Sequence, residues 1–330
     1  MKLIIQIPCL DEAEQLPSTV ADLPRHVAGF DSVEWLVIDD GSSDATIDVA
    51  RSLGVDHIVR LTSNKGLATA FQAGLDASLK LRADVIVNTD ADNQYRGESI
   101  PELVRPILEG RADMVVGARD MSAVESFSPT KRRLQRLGSA VVRRVSGTSV
   151  PDATSGFRAY NRDAALQMQV VSSFTYTLET IIQAGKMLIT VASVPVGTNP
   201  PTRQSRLFPS MWTYIRRNAL AIFRVYTMYE PLRVFLVASA FATAIGLVVW
   251  VRFLVYLVSG NGQGHVQSVI FGGTMLIIAV QLAALGVMAD VLAAVRLLLQ
   301  RTLERVRRLE LQLDVPPSHY EQGGVEREER

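Results

Sequence analysis

Short hydrophobic runs recur along the first two thirds of the chain, and segments with helical spacing separate them. The runs are rich in β-branched residues and show no polar alternation, which is typical of strands buried on both faces. They cover residues 3–7, 35–38, 57–60, 85–88 and 114–116, and the segments between them include 44–53 and 68–79. Strands that alternate with helices predict an α/β domain with a mostly parallel sheet.

Two longer apolar runs follow, at about 234–258 and 269–289. Each reaches the roughly 20 residues that a helix needs to cross a bilayer, and Arg252 is the one charge within them. Two buried helices of a soluble domain are disfavoured, because neither run carries a polar stripe. The connection 259–268 lacks Lys and Arg, whereas several arginines precede the first run and several follow the second. The positive-inside rule therefore predicts two transmembrane helices, with the large domain and both termini in the cytoplasm.

The segments that flank these runs have their own patterns. Within 207–230, apolar residues form one helical stripe and arginines another, which predicts an amphipathic helix in the membrane interface; packing against the soluble domain is the alternative. After the second run, 296–313 reads as a basic, Leu-rich helix that could pair with a second copy in a homo-oligomer. The polar end from Pro316 is expected to be disordered. The predicted domains are therefore 1–206, 207–230, 231–290 and 291–330.

Composition narrows the class of protein. The chain has 330 residues, 48% of them hydrophobic, and a net charge of +1, so no nucleic-acid partner is expected. Its single cysteine, Cys9, excludes an intrachain disulfide and suits a reducing compartment. The first apolar run is too short for a cleavable leader, and none is expected.

The most informative polar cluster follows the run at 85–88. Asp90 and Asp92, with Gln94, offer hard oxygen ligands of the kind that Mg²⁺ or Mn²⁺ prefers. Such ions commonly bridge one or two carboxylates to substrate phosphates, so the cluster indicates a metal-bound diphosphate. A simple turn or helix cap is the alternative for acidic residues in this position.

Polar residues also follow three other predicted strands. Asp11 and Glu12 follow the first strand, Asp39 and Asp40 the second, and Gly66 lies in the loop after the third. Because the carboxyl ends of parallel strands meet at one edge of a sheet, the four loops should converge and form a nucleotide pocket. The chain lacks the glycine-rich motifs of dinucleotide oxidoreductases and P-loop enzymes and the nucleophile motif of serine hydrolases, which disfavours all three classes.

Six motifs in this order resemble those of the inverting family-two glycosyltransferases, which have the Rossmann-like GT-A fold. The motifs are Ile7-Pro8 with Asp11-Glu12, Asp39-Asp40-Gly41-Ser42, Asn64-x-Gly66, Asp90-Ala91-Asp92-x-Gln94, Gly117-x-Arg119 and Ser155-Gly156-Phe157-Arg158-Ala159-Tyr160. The resemblance covers about residues 1–230 and is nearest to the polyprenyl- and dolichyl-phosphate hexosyltransferases, including dolichyl-phosphate mannose synthases and bacterial undecaprenyl-phosphate glucosyltransferases.

The resemblance implies a role for each matching residue. It implies donor binding by Pro8, Glu12, Asp39, Asp40, Gly66, Asp90 and Ala91, and a Mg²⁺ or Mn²⁺ site on Asp90, Asp92 and Gln94. It also implies catalytic roles for Asp90 and Asp92, contact with the lipid phosphate by Arg119, Arg133 and Arg206, and an acceptor-side loop that ends at Arg158. Gly156 departs from relatives that have Asp or Ser there; Asp152 is a substitute acid, and Glu179 matches an acidic position on the next helix.

The expected function is that of a membrane-anchored enzyme. It would move mannose or glucose from a GDP- or UDP-linked donor to a polyprenyl or dolichyl phosphate at the cytoplasmic face of the cell membrane. An anionic phosphate oxygen needs no strong general base, so a histidine is not required. Two alternatives stay open: a processive polysaccharide synthase, although the Gln-x-x-Arg-Trp motif of such enzymes is missing, and a catalytically silent scaffold for a lipid-sugar flippase.

Overall fold

The computed structural model describes residues 1–119, 129–170, 176–200, 216, 219–220, 223–224, 226–259 and 266–323, and within 129–137 it describes the backbone. The chain forms two compact units. The first unit comprises Met1–Ile222 together with Thr302–Arg330, and the second comprises Phe223–Arg301.

One mixed sheet forms the centre of the first unit. Among the described residues its strands are β1 (Lys2–Cys9), β2 (Ser32–Asp39), β3 (His57–Arg60), β4 (Val85–Asn88), β5 (Met114–Arg119), β6 (Arg158–Asn161), β7 (Val191–Val196) and β8 (Tyr320–Gln322). Their order is β7-β5-β6-β4-β1-β2-β3-β8. Only β6 and β8 run antiparallel to their neighbours. The predicted mostly parallel sheet and all five predicted strands are confirmed.

Helices cover the sheet. They are α1 (Leu16–Asp22), α2 (Thr46–Ser52), α3 (Leu67–Lys80), α4 (Ile100–Leu108), α5 (Pro129–Ser146), α6 (Arg162–Gln167) and α7 (Thr177–Lys186). The predicted α2 shows how local sequence sets the bounds. Asp44 accepts a hydrogen bond from the Thr46 N–H at 3.0 Å, and Gly54 follows the helix with a φ of 68°. A side-chain acceptor before a helix and a left-handed glycine after it are ordinary start and stop signals.

Strands β1 and β4 lie at the middle of the sheet, within the hydrophobic core. Leu3, Ile5 and Ile7 on β1 and Val85 and Val87 on β4 are fully buried. Because the two strands are parallel, both end at the same edge of the sheet, where the loops that follow them begin. That edge carries the loops after β1, β2, β3 and β4, and these four loops together are called the rim below.

Two long apolar helices, Pro231–Val258 and Val266–Gln312, make up most of the second unit, which includes the second helix as far as Arg301. By length and composition both can cross a membrane. Small residues bring them together: Ser239 donates to the Ala279 carbonyl at 2.7 Å, and a Cβ on Gly246 would lie 3.0 Å from the Gly272 carbonyl oxygen. Close backbone approach at small residues is typical of packed transmembrane helices.

The second long helix differs from the sequence prediction. The sequence predicts a span that ends near 289 and a separate basic helix from 296, whereas the structure has one helix through Gln312. No glycine or proline interrupts 287–312, so nothing breaks the backbone ladder. The residues from Thr302 onward belong to the first unit.

The prediction of a disordered polar end is wrong for Tyr320–Gln322. These residues form β8, which pairs with β3 through His57, Ile58 and Val59. Low hydrophobic content does not prevent this, because an exposed edge strand offers unpaired backbone groups to any extended segment. Residues 324–330 lie outside the described part of the chain.

The segment Thr302–Gly323, called the C-terminal strap below, makes further polar contacts within the first unit. Arg307 donates to the Met168 carbonyl at 2.9 Å, just beyond α6, and Arg308 pairs with Asp163 at 2.9 Å. Glu310 pairs with Lys80 at 3.3 Å. The strap is therefore part of the folded first unit.

Only part of the predicted interfacial helix is described. Backbone at 219–220, 223–224 and 226–229 is helical. Trp212, Ile215, Ile222 and Arg217, on which the prediction depends, lie outside the described residues. The interfacial helix and the four-part domain division stay predictions.

Candidate active site

Hydrogen bonds join the loops after β1 and β2. Asp11 accepts from the Ser43 N–H at 2.7 Å, and its own N–H donates to the Ser42 hydroxyl at 2.9 Å. The Glu12 N–H donates to the Thr46 hydroxyl at 2.9 Å. Asp11 has a φ of 52°, a left-handed turn conformation that Asp tolerates. The first two loops of the rim are thereby fixed side by side.

Asp40 fixes the third loop of the rim. Its two carboxylate oxygens accept from the backbone N–H groups of Lys65 and Gly66, each at 2.8 Å. Gly41 permits this approach, since its φ is 77° and a Cβ there would lie 2.6 Å from the Ser63 backbone. Burial raises the pKa of Asp40 above its ordinary value, against these two hydrogen bonds.

Asp39 lies beneath Asp40 and is fully buried. One carboxylate oxygen accepts from the Ser42 N–H at 3.1 Å, while Oδ2 has no hydrogen-bond partner among the described residues. A buried acceptor with no partner is costly in a folded protein. The arrangement fits the predicted donor contact, in which a ligand N–H or O–H would satisfy this oxygen.

Asp90 and Asp92 follow β4 at the centre of the rim. Asp92 accepts from the Gln94 N–H at 3.1 Å, which folds the motif into a tight turn. Burial, followed by the negative charge of Asp92, raises the pKa of Asp90 to about 7, while Arg119 opposes the rise. Glu12 adds to it. Glu12, Asp90 and Arg119, which lie at the ends of three different strands, thus share one electrostatic environment.

The donor set fits a divalent cation. Among the residues that the structure describes, no three His, Cys, Asp or Glu side chains form a metal cage. Mg²⁺ and Mn²⁺ do not require one, because substrate phosphates and waters commonly complete their coordination. The negative charge of Asp92 disfavours the ionised form of Asp90, and a bound dication would offset that effect. The Gln94 amide oxygen is a further candidate ligand.

Arg119, the last residue of β5, is held in a fixed orientation. Its Nε and Nη2 donate to the two carboxylate oxygens of Asp152 at 2.7 and 3.2 Å, and Nη2 also donates to the Thr154 hydroxyl at 2.9 Å. Burial opposes ionisation of Asp152, but Arg119 holds the pKa of that carboxyl below its ordinary value. Asp152, offered by the sequence as a substitute acid, thus orients Arg119.

Arg158 lies on β6 and is fully buried. Its guanidinium donates to the carbonyls of Ser155 at 2.8 Å and Ala153 at 3.0 Å, and to the Thr180 hydroxyl at 2.5 Å. These acceptors belong to the 153–155 loop and to α7. A side chain with no exposed surface is placed to position its neighbours, and the predicted catalytic contact stays a prediction.

Tyr95 is a site residue that the sequence patterns miss. Its hydroxyl accepts from the Gly156 N–H at 3.1 Å, and its ring stacks on Phe157 with 5.1 Å between ring centroids. On the other side of the motif, the Asn199 N–H donates to the Gln94 carbonyl at 2.9 Å. Gln94 and Tyr95, which follow the two carboxylates, are thereby joined to Gly156 and Asn199, two residues that are distant from them in sequence. A lone aromatic residue after Gln94 was the only available signal.

The remaining predicted residues differ in what the structure describes. Pro8 lies on β1 opposite Ile38, and the buried Ala91 accepts from the Thr19 hydroxyl at 2.7 Å. Arg133 lies on α5, for which only the backbone is described at that position, and Arg206 lies outside the described residues. Their predicted contacts with a lipid phosphate stay predictions.

Comparison with known structures identifies the fold. The chain is similar to glucosyl-3-phosphoglycerate synthase from Mycobacterium tuberculosis, solved in complex with Mn²⁺, UDP-glucose and phosphoglyceric acid. The TM-score is 0.54 at 20% identity, over 67% of this chain and 79% of that chain. The fold is therefore of the GT-A type found in glycosyltransferases. The model of glycosyl transferase family 2 matches residues 4–168, and the chain belongs to that family.

Two curated relatives extend the comparison. Undecaprenyl-phosphate mannosyltransferase of Micrococcus luteus is 29% identical over 206 residues, which cover 59% of this chain and 83% of the relative. Glycosyltransferase AglJ of Haloferax volcanii is 26% identical over 318 residues, covering 93% of this chain and 97% of the relative. The second alignment is long enough to include both long helices.

Proposed function

We propose that the chain transfers a hexose from a nucleoside diphosphate sugar to a polyprenyl or dolichyl phosphate, with inversion at the anomeric carbon. The name of the Micrococcus luteus relative supports the acceptor class and a mannosyl group, and the Mn²⁺ and UDP-glucose bound to the mycobacterial synthase support the donor class. The observation that carries the proposal is that Glu12, Asp92 and Arg119, which come from three separate segments, all shift the pKa of the buried Asp90 carboxylate.

The acceptor chemistry explains the kind of side chain at the site. A phosphate oxygen is already anionic near neutral pH, so the site needs alignment and charge stabilisation more than a base. Arg119 suits this task because Asp152 fixes its plane, while its Nη1 makes no hydrogen bond with a described residue. A rigid guanidinium binds phosphate with orientation as well as charge.

The donor side of the site has complementary groups. Asp90, Asp92 and Gln94 would hold a divalent cation, which supplies Lewis-acid stabilisation to the departing nucleoside diphosphate. Asp39, whose buried Oδ2 has no hydrogen-bond partner among the described residues, ends β2, and Glu12 lies on the loop after β1, where the base and ribose would bind. Asp40 keeps the loop at Gly66 in place for the donor.

We further propose that the two long helices anchor the enzyme in the cell membrane with the catalytic unit and both termini in the cytoplasm. Their length and composition and the arginine distribution support this topology. In spheroplasts, a cysteine placed in the 259–268 connection of a Cys9→Ala chain should react with an impermeant maleimide. A cysteine placed at Ser43 should not react, and the reverse pattern would overturn the proposed orientation.

The activity is tested with GDP- and UDP-linked hexoses and a short polyprenyl phosphate, using the purified full-length chain and mass spectrometry of the lipid. We expect one added hexose per lipid, dependent on Mn²⁺ or Mg²⁺. Nucleotide release should require the lipid phosphate. Growth of a polymer would instead support a processive synthase, and absence of any turnover with all donors would support a silent scaffold.

A further inference from the structure

A series of hydrogen-bonded, fully buried polar side chains includes Asn88, two residues before Asp90. Gln6 donates to the Asn88 amide oxygen at 2.8 Å, and the Asn88 amide nitrogen donates to the Tyr176 hydroxyl and to the Gly156 carbonyl, both at 2.9 Å. The exposed fraction of Gln6, Asn88 and Tyr176 is 0%. Buried polar networks are costly unless their groups are satisfied, so one at the end of a central strand calls for a specific reason.

The surroundings of Gly156 show which groups this series of buried side chains supports. A Cβ on Gly156 would lie 2.8 and 2.9 Å from the two carboxylate oxygens of Asp90, and 2.8 Å from the Tyr176 hydroxyl. Gly156 does not have a left-handed φ, so backbone conformation does not require a glycine there. The space of the missing side chain is what matters, because the Asp90 carboxylate and the Tyr176 hydroxyl gather around it.

Contacts of its ring, its backbone and its hydroxyl hold Tyr176 in place. Its ring stacks on Phe71, with 4.0 Å between ring centroids and 5° between the planes. Its carbonyl accepts from the Thr180 hydroxyl at 2.8 Å, which in turn accepts from Arg158 at 2.5 Å. The Tyr176 hydroxyl accepts from Asn88 and donates to the Gly156 carbonyl at 3.4 Å, so Asn88 and Tyr176 both hold the backbone of Gly156.

We propose that Tyr176 is a positioning residue for the Asp90 carboxylate: Tyr176 and Asn88 together hold the backbone of Gly156, and the missing side chain of Gly156 leaves the space that the Asp90 carboxylate faces. This inference rests on the proposed function, since it concerns the divalent-cation site of the same enzyme. Residues that orient a metal ligand from outside the coordination sphere commonly change metal affinity or activity by about 10- to 100-fold when they are replaced.

The first test measures Mn²⁺ binding to the full-length protein in detergent, with saturating UDP and, separately, GDP, by the electron paramagnetic resonance signal of free Mn²⁺. Tyr176→Phe should bind Mn²⁺ about tenfold more weakly than the parent chain. Tyr160→Phe is the matched control, because Tyr160 packs on the same Phe71 ring and its hydroxyl has no hydrogen-bond partner among the described residues. Tyr160→Phe should keep the parent affinity.

Gly156→Ala provides a second variant, with Gly138→Ala as its control. A Cβ at Gly156 displaces Asp90, whereas nothing described lies within 4 Å of a Cβ at Gly138. Mn²⁺ affinity should fall by at least about tenfold in Gly156→Ala and stay unchanged in Gly138→Ala. Circular dichroism reports whether each variant folds, and Tyr176→Phe decides the matter if Gly156→Ala does not.

Unchanged Mn²⁺ affinity in folded Tyr176→Phe, or no Mn²⁺ binding by the parent chain with either nucleotide, would overturn the inference. Failure of the proposed function gives a different result. In that case the parent chain binds Mn²⁺ and nucleotide, Tyr176→Phe weakens Mn²⁺ binding, and no lipid receives a sugar.

Discussion

The rim and the C-terminal strap are two polar regions of the same catalytic unit, and they are built differently. At the rim, buried carboxylates such as Asp40 accept short hydrogen bonds from backbone N–H groups of neighbouring loops. On the strap, the charged pairs are more exposed: the side chains of Arg308 and Asp163 have exposed fractions of 45% and 67%. Buried, backbone-bound groups are fixed before a ligand arrives, whereas exposed pairs contribute little individually. The rim should therefore govern activity and the strap stability.

The largest effect should come from the rim. Asp92→Ala removes a candidate cation ligand, and we expect the kcat/KM for sugar transfer to fall at least about 100-fold, even in saturating Mn²⁺. The thermal midpoint should hardly change. Asp48→Ala is the control, because Asp48 is an exposed carboxylate on α2 that pairs with Arg51. Full turnover by Asp92→Ala would show that the metal assignment is wrong.

A smaller effect, and on stability alone, is expected from the strap. A chain that ends after Leu313 loses β8 and its three registered pairs with β3, which should lower the free energy of unfolding by about 1–3 kcal/mol. A chain that ends after Gly323 keeps every described strap contact and serves as the control. Urea unfolding measures both, alongside the activity per folded molecule. Loss of activity at full stability would contradict the division between rim and strap.

The smallest effect concerns the side chains around β8. Hydrogen bonding to His57 outweighs burial and, with Lys2, lowers the pKa of Glu34 to about 2, while His57 also contacts the Tyr320 hydroxyl at 2.9 Å. Because the folded pKa lies below the unfolded one, this contribution is complete above about pH 4.5 and is lost as the pH falls towards 2.

Glu34→Gln should therefore destabilise the protein by about 1 kcal/mol at pH 6 and by progressively less below pH 4.5. Unfolding midpoints from pH 6 to pH 3 measure the difference. Glu102→Gln, at an exposed position on α4, should show no such trend. A Glu34→Gln penalty that stays constant with pH would mean that Glu34 acts through its shape and not its charge.

Much of the fold could be predicted because its signals are local. Strand β4 is an uninterrupted apolar run, and a parallel sheet brings Glu12, Asp40 and Asp90 to one edge whatever the details of the loops. Strand β6 gave no such signal. It lies between β4 and β5 and antiparallel to both, a placement set by pairing with strands distant in sequence.

The supporting contacts of the site could not be predicted for the same reason. Tyr95 and Tyr176 look like ordinary aromatic core residues in the sequence. Their importance comes from the positions of their hydroxyl groups beside Gly156, which depend on three separated segments. The sequence did not predict strand β8, because hydrophobic content indicates how much apolar surface a segment can bury and does not show that the backbone of β3 is available for pairing.

The strap also has a consequence for how the protein is made. The ribosome completes β1 to β7 first, then both long helices, and reaches Tyr320 only after them. Until then the backbone of β3 is an open edge, which can pair with other newly made chains. Rapid delivery of the long helices to the membrane would keep these unfinished chains apart, so slowed membrane targeting should produce aggregates even when every catalytic residue is intact.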